Sequence, residues 1–132
     1  MKARILIVED EEALTLLLRY NLEAEGYEIE TVARGDEADL LLKESVPDLI
    51  ILDWMLPGLS GIELCRRLRT LEQHARLPIA LFSQGAYPED ITAGLSAGAN
   101  YVLSKELLCE PSAWRRRLAE VLHTSRQQEI VE

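Results

Sequence analysis

The residues most able to do chemistry in this chain are acids that follow directly on apolar runs. In "ILIVEDEE" the run Ile5–Val8 meets Glu9, Asp10, Glu11 and Glu12. In "LIILDWMLPG" the run Leu49–Leu52 ends on Asp53, and a loop holding Pro57 and Gly58 follows. An acid after a strand often serves the first turn of the next helix, where the macrodipole favours negative charge. That capping role is the reading for Glu11 and Glu12. It does not suit Asp53, because a loop comes next rather than a helix. Two later runs end on groups that could face these acids, Ser83 with Gln84 and Ser104 with Lys105. If the first and third strands are neighbours, three carboxylates meet on one rim opposite a hydroxyl and an ammonium. Carboxylates that close repel one another and call for a cation, and Mg²⁺ with retained waters fits an all-oxygen site best.

Five short apolar runs position these residues: Ile5–Val8, a weaker alternating Tyr27–Val32, Leu49–Leu52, Ile79–Phe82 and Tyr101–Leu103. Amphipathic stretches lie between them. Leu14, Leu17, Leu18 and Leu22 follow helical spacing and stop at Gly26. Ala38, Leu41 and Leu42 predict a second helix after Gly35, and Ile62, Cys65 and Leu68 a third after Gly61. Ile91 and Leu95 predict a fourth, from Pro88 to the stop at Gly98. Trp114, Leu118, Val121 and Leu122 predict a fifth, opened by Pro111 or Ser112. Strand–helix alternation with continuously apolar strands predicts an α/β fold with a parallel sheet covered on both faces. In such sheets ligands bind beyond the carboxyl ends of the strands. All the acids above fall there.

The 132 residues are 48% hydrophobic and suffice for one domain with a core. The expected division is a domain over 1–124 and a tail or linker stub over 125–132, because "TSRQQEIVE" loses periodicity and reads as a frayed end. A net charge of −9, with Arg115–Arg117 the one basic block, argues against direct nucleic-acid binding. There is no signal peptide and no apolar run of membrane-spanning length, so the expectation is a cytoplasmic protein with no membrane partner. Cys65 and Cys109 fit no metal spacing and read as free thiols, one half-buried on a helix and one in a loop. Trp114 reads as packing. His74, in a polar loop, and His123, at a helix end, read as solvated or helix C-capping.

The set Glu9–Asp10, Asp53, Ser83 and Lys105 resembles the receiver domain of two-component response regulators, over roughly residues 3–124. "LIILDWMLPGLSGIELCRRLR" is similar to the phosphate-regulon branch, whereas the last third diverges, as a separate branch or a mosaic would. The resemblance implies a flavodoxin-like three-layer sandwich with five parallel strands in the order 2-1-3-4-5 and five helices. It implies that Asp53 is the phosphoacceptor, and that Asp10, Asp53 and the Met55 backbone carbonyl ligate Mg²⁺, with Glu9 acting through water. Lys105 would contact an Asp53 oxygen or the phosphoryl group, and Ser83 would donate to the phosphoryl oxygen and switch the fold. The implied partners are a sensor histidine kinase or phosphotransfer protein and at most a weak homodimer. Such a module is no enzyme toward other substrates; its chemistry is its own phosphorylation and dephosphorylation. The alternatives are a Mg²⁺-dependent aspartyl-phosphate phosphohydrolase and a pseudo-receiver that only binds partners.

Three positions depart from that family's pattern. Glu106 stands where a proline after a cis bond is usual. Val102 stands at the aromatic switch position, with Tyr101 one residue off and on the opposite strand face. Gln84 follows the hydroxyl residue in place of a small one. The Lys105–Glu106 bond is expected to be trans, because a cis non-proline peptide costs roughly 2.5–4 kcal/mol. The loop after it, about two residues longer than in the phosphate-regulon branch, is expected to absorb the change.

Overall fold

The computed structural model describes residues 2–85 and 87–131, with side chains described as far as Leu122. The apolar runs form five strands, β1 (Arg4–Val8), β2 (Glu28–Val32), β3 (Leu49–Asp53), β4 (Ile79–Ser83) and β5 (Tyr101–Ser104). They pair in parallel in the order β2-β1-β3-β4-β5. β3 and β4 lie inside the sheet and are buried at every residue. A strand covered on both faces needs apolar residues throughout, and that gave these two their continuous pattern. β2 is an edge strand and keeps only the weak alternation expected of Tyr27–Val32.

The helices are α1 (Glu12–Ala24), α2 (Gly35–Leu42), α3 (Gly61–Thr70), α4 (Pro88–Ala97) and α5 (Pro111–Val131). α1 ends before Gly26 and α4 before Gly98, both with the positive φ that the stop signal requires. One apolar cluster joins Leu18 and Leu22 of α1 and Trp114, Leu118, Val121 and Leu122 of α5 to one sheet face. A second joins Ala38, Leu64, Cys65, Leu68 and Ala97 of the other three helices to the opposite face. Tyr101 packs in the first cluster and Val102 in the second, so the two do face opposite ways.

Four expectations change. Cys65 is fully buried rather than half-buried, because Leu64, Cys65 and Leu68 make one inward stripe and its Sγ reaches Ala97 O at 3.4 Å. His74 is also fully buried, in a 3₁₀ turn (Glu72–His74), with Nε2 2.5 Å from Leu42 O at the end of α2. A helix leaves its last carbonyls without partners, and this ring supplies a donor to one. Cys109 is exposed, but it closes a 3₁₀ turn (Lys105–Cys109) rather than lying in a loop. The backbone stays helical to Val131, past the expected fray, since no Gly or Pro interrupts that stretch. The reading of His123 concerns a side chain outside the described set. No described peptide bond is cis, so Lys105–Glu106 is trans as expected, and a 3₁₀ turn spans Lys105–Cys109.

Candidate functional site

β1 and β3 are neighbours, with Val8 opposite Leu52, so both strands deliver their terminal acids to one edge. Glu9 and Asp53 are 5% and 3% exposed, which is rare for carboxylates and requires partners. Asp10 stands in solvent beside them. One oxygen from each of Glu9, Asp10 and Asp53 can be chosen so that all lie within 4.8 Å of one another.

Lys105, the first residue after β5, reaches across β4 into this group. Its Nζ lies 3.0 Å from Asp53 Oδ2 and 3.7 Å from Glu9 Oε1. The other Asp53 oxygen accepts from the Met55 backbone N–H at 3.3 Å. Met55 itself is exposed, and its neighbour Trp54 extends the β3–β4 ladder by donating its backbone N–H to Phe82 O at 2.9 Å. Ser83 is buried at the end of β4, one step beyond the Asp53–Phe82 register pair. The fold thus brings Glu9, Asp10, Asp53 and Lys105 together, with Ser83 on the adjacent strand.

Sequence reasoning missed one member of this constellation. Glu11 takes the N-cap position of α1, but its side chain makes no capping bond, which corrects that part of the capping reading. Its Oε1 instead lies 3.8 Å from Lys105 Nζ. Its backbone N–H donates to Glu9 Oε1 at 3.1 Å. The adjacency of Glu11 to Glu9–Asp10 at a strand end was the available signal. Glu12 does fall in the first turn of α1, where the dipole reading puts it.

Burial dominates the electrostatics. Desolvation, opposed by the Glu11 N–H and reinforced by the charge on Asp53, pushes the Glu9 carboxyl up to about 7. Desolvation also raises Asp53, against the pull of Lys105, Glu9 and the Met55 N–H. Two buried carboxyls in contact cannot both ionise cheaply, so without a metal the pair resists carrying two charges. Burial draws the Lys105 ammonium down, but its contacts with Asp53, Glu9 and Glu11 outweigh this and raise it. Three carboxylates around one ammonium leave surplus negative charge. Oxygens bound to one Mg²⁺ at about 2.1 Å lie at most about 4.2 Å apart. Small rotations of the three acids would reach that, and the exposure of Asp10 leaves room for retained waters. The donor set fits a hard divalent cation.

The close packing behind Asp53 has a testable consequence. A Cβ on Gly61 would come within 2.1 Å of the Asp53 carbonyl oxygen, which is backbone and cannot swing aside. Gly61→Ala is expected to cost about 3 kcal/mol in urea unfolding. A change below the error of the fit would show that this approach is loose.

The family comparison agrees with this geometry. A family model described as the response regulator receiver domain matches residues 5–112, and the chain belongs to that family. Among its curated relatives is the phosphate regulon transcriptional regulatory protein PhoB of Rhizobium meliloti, 52% identical over 130 residues, covering 94% of this chain and 57% of that one. Another is the alkaline phosphatase synthesis transcriptional regulatory protein PhoP of Bacillus subtilis, 38% identical, covering 95% of this chain and 50% of that one. The chain thus spans about half the length of these two relatives. Among solved structures, the chemotaxis response regulator CheY4 of Vibrio cholerae matches with a TM-score of 0.85 at 29% identity, covering 92% of this chain and 99% of that one. The receiver domain of a sensor histidine kinase from Pseudomonas aeruginosa matches with a TM-score of 0.84 at 29% identity, covering 93% of this chain and 99% of that one. That protein was solved with a magnesium ion coordinated in its active site cleft. No helix among the described residues is long and apolar enough to cross a membrane.

Proposed function

We propose that this receiver domain takes a phosphoryl group onto Asp53 from a sensor histidine kinase or phosphotransfer protein. The observation that carries the proposal is the buried Asp53 carboxylate, held 3.0 Å from Lys105 and grouped with Glu9 and Asp10 at the carboxyl edge of the sheet. Mg²⁺ would be held by Asp10, Asp53 and the Met55 carbonyl, with Glu9 acting through water, and would neutralise the charge of the incoming phosphoryl oxygens. Phosphoryl transfer depends on in-line placement and charge neutralisation more than on covalent activation. The residues divide that work. Asp53, a carboxylate once the cation is bound, attacks phosphorus through one oxygen, while the bond from phosphorus to the donor breaks and the donor leaves with its electron pair. Lys105 orients the acceptor and meets the charge on the phosphoryl group. Ser83 donates to a phosphoryl oxygen once that group is in place, and its inward movement is the switch, a shift between two populated states.

The test is the intact mass after incubation with acetyl phosphate and Mg²⁺. One phosphoryl group per chain is expected, with none added when the metal is chelated. Labelling that survives chelation would overturn the metal-dependent reading. Trp54 adjoins the acceptor and should report the cation directly. Its fluorescence is expected to change on Mg²⁺ titration in the wild type and not in Asp10→Ala. A full response in that variant would place the metal elsewhere.

A further inference from the structure

Lys105 is the residue on which the acceptor's charge balance turns, yet it stands at the end of an edge strand. β5 is four residues long and pairs on one side only. An edge strand alone does not fix the residue that follows it, so the constraint on Lys105 must come from the chain after it. That chain is the 3₁₀ turn Lys105–Cys109, which Lys105 itself opens. Ser104 starts the turn by accepting the Glu106 N–H on its Oγ at 3.2 Å. Leu108, one residue before the turn's end, lies inside the core, fully buried, with Leu107 partly buried against the same cluster. The carbonyl of Leu108 accepts the indole N–H of Trp114 at 3.3 Å, and Trp114 is itself fully buried on α5.

We infer that Trp114 is a positioning residue for Lys105, acting through the 3₁₀ turn that its indole N–H pins to the core. The inference rests on the role given to Lys105 above. A large apolar ring at position 114 would fill the core without any polar atom, so packing alone does not call for a tryptophan. The N–H matters because the turn brings polar backbone into that core. A buried carbonyl needs a donor, and Trp114 supplies one to the residue that anchors the far end of the turn. Ser104 holds the near end. Between those two ties Lys105 has its backbone fixed, and its side chain can hold 3.0 Å from Asp53 while Glu9 and Glu11 compete for the same ammonium. Loosening either tie lets the ammonium drift toward Glu11, which lies nearer solvent.

Trp114→Phe keeps a ring in the core but deletes the N–H together with part of the indole, which leaves a small cavity at this buried site. Ser104→Ala releases the other end of the turn at a partly exposed site, and serves if the first variant folds poorly. Two readouts are needed. In the first, the initial rate of Mg²⁺-dependent labelling by acetyl phosphate should fall about three- to tenfold in either variant, the range set by loss of one neutral hydrogen bond. In a Lys105→Ala background neither change should lower the rate further. An equal fall in both backgrounds would mean a general structural effect and overturn the inference. The second readout is the rate of Lys105 acylation by acetic anhydride at one fixed pH, read by peptide mass without any phosphodonor. The rate should rise in both variants as contact with Asp53 weakens and the amine becomes reachable. An unchanged rate overturns the positioning role even if the wild type is labelled normally. A wild type that takes no label, with the acylation rate raised as expected, would instead refute the phosphoacceptor reading alone.

Discussion

Asp53→Asn is expected to lower labelling by acetyl phosphate by more than about a hundredfold while leaving the fold intact. An amide oxygen is no nucleophile toward phosphorus at neutral pH, and the other carboxylates cannot take over without moving off their strand ends. Removal of a nucleophile costs far more than removal of a neighbour, so the effect should exceed that of any other single change at the site. The amide keeps the shape of Asp53, and its one oxygen can still accept from Met55 N–H or from Lys105, though not from both at their present places. It also removes the charge that helps push Glu9 upward. Folding should therefore survive, which circular dichroism and thermal unfolding would show. Labelling of the variant at the wild-type rate would place the acceptor on Glu9 or Asp10, and peptide mapping would say which.

The legible part of this site was the part carried by strands. Val8 and Leu52 lie in register, so two apolar runs that each end on an acid had to bring those acids together once their strands were adjacent. The order of strands came from resemblance, because a five-stranded pattern alone admits several. Buried polar contacts were not legible. His74 looked solvated because nothing in its neighbours announces the Leu42 carbonyl it meets, 32 positions away. Glu11 was read as a cap because its tie to Lys105 exists only after β5 has docked. The 3₁₀ turn after Lys105 looked like loop chemistry, since Leu107 and Leu108 are too short a run to show a period. Each miss is a long-range partner for a single polar atom or a short turn. Such partners leave no periodic trace in sequence.

The upward shifts of Glu9 and Asp53 make stability depend on pH in a direction opposite to the usual carboxylate case. Glu9 rises from 4.5 to about 7 in the folded chain. A carboxyl raised on folding contributes stability that is complete below its unfolded value and is lost as pH climbs through the folded one. Asp53 is raised as well and acts with the same sign. In chelator, thermal stability should therefore fall between about pH 5 and pH 8. One pKa unit is 1.36 kcal/mol, so the Glu9 share is about 3 kcal/mol at most. Lys105 titrates above this window and does not enter. Added Mg²⁺ needs the deprotonated carboxylates, so it should bind more tightly as pH rises. At a hundred times its dissociation constant it would restore about 2.7 kcal/mol. The two melting curves should therefore diverge with pH, metal-bound above metal-free. Glu9→Gln carries no titrating group and should flatten the metal-free slope. A metal-free wild type that grows more stable from pH 5 to pH 8, or a Glu9→Gln slope equal to the wild type's, would show that the pair is ionised throughout before the cation binds.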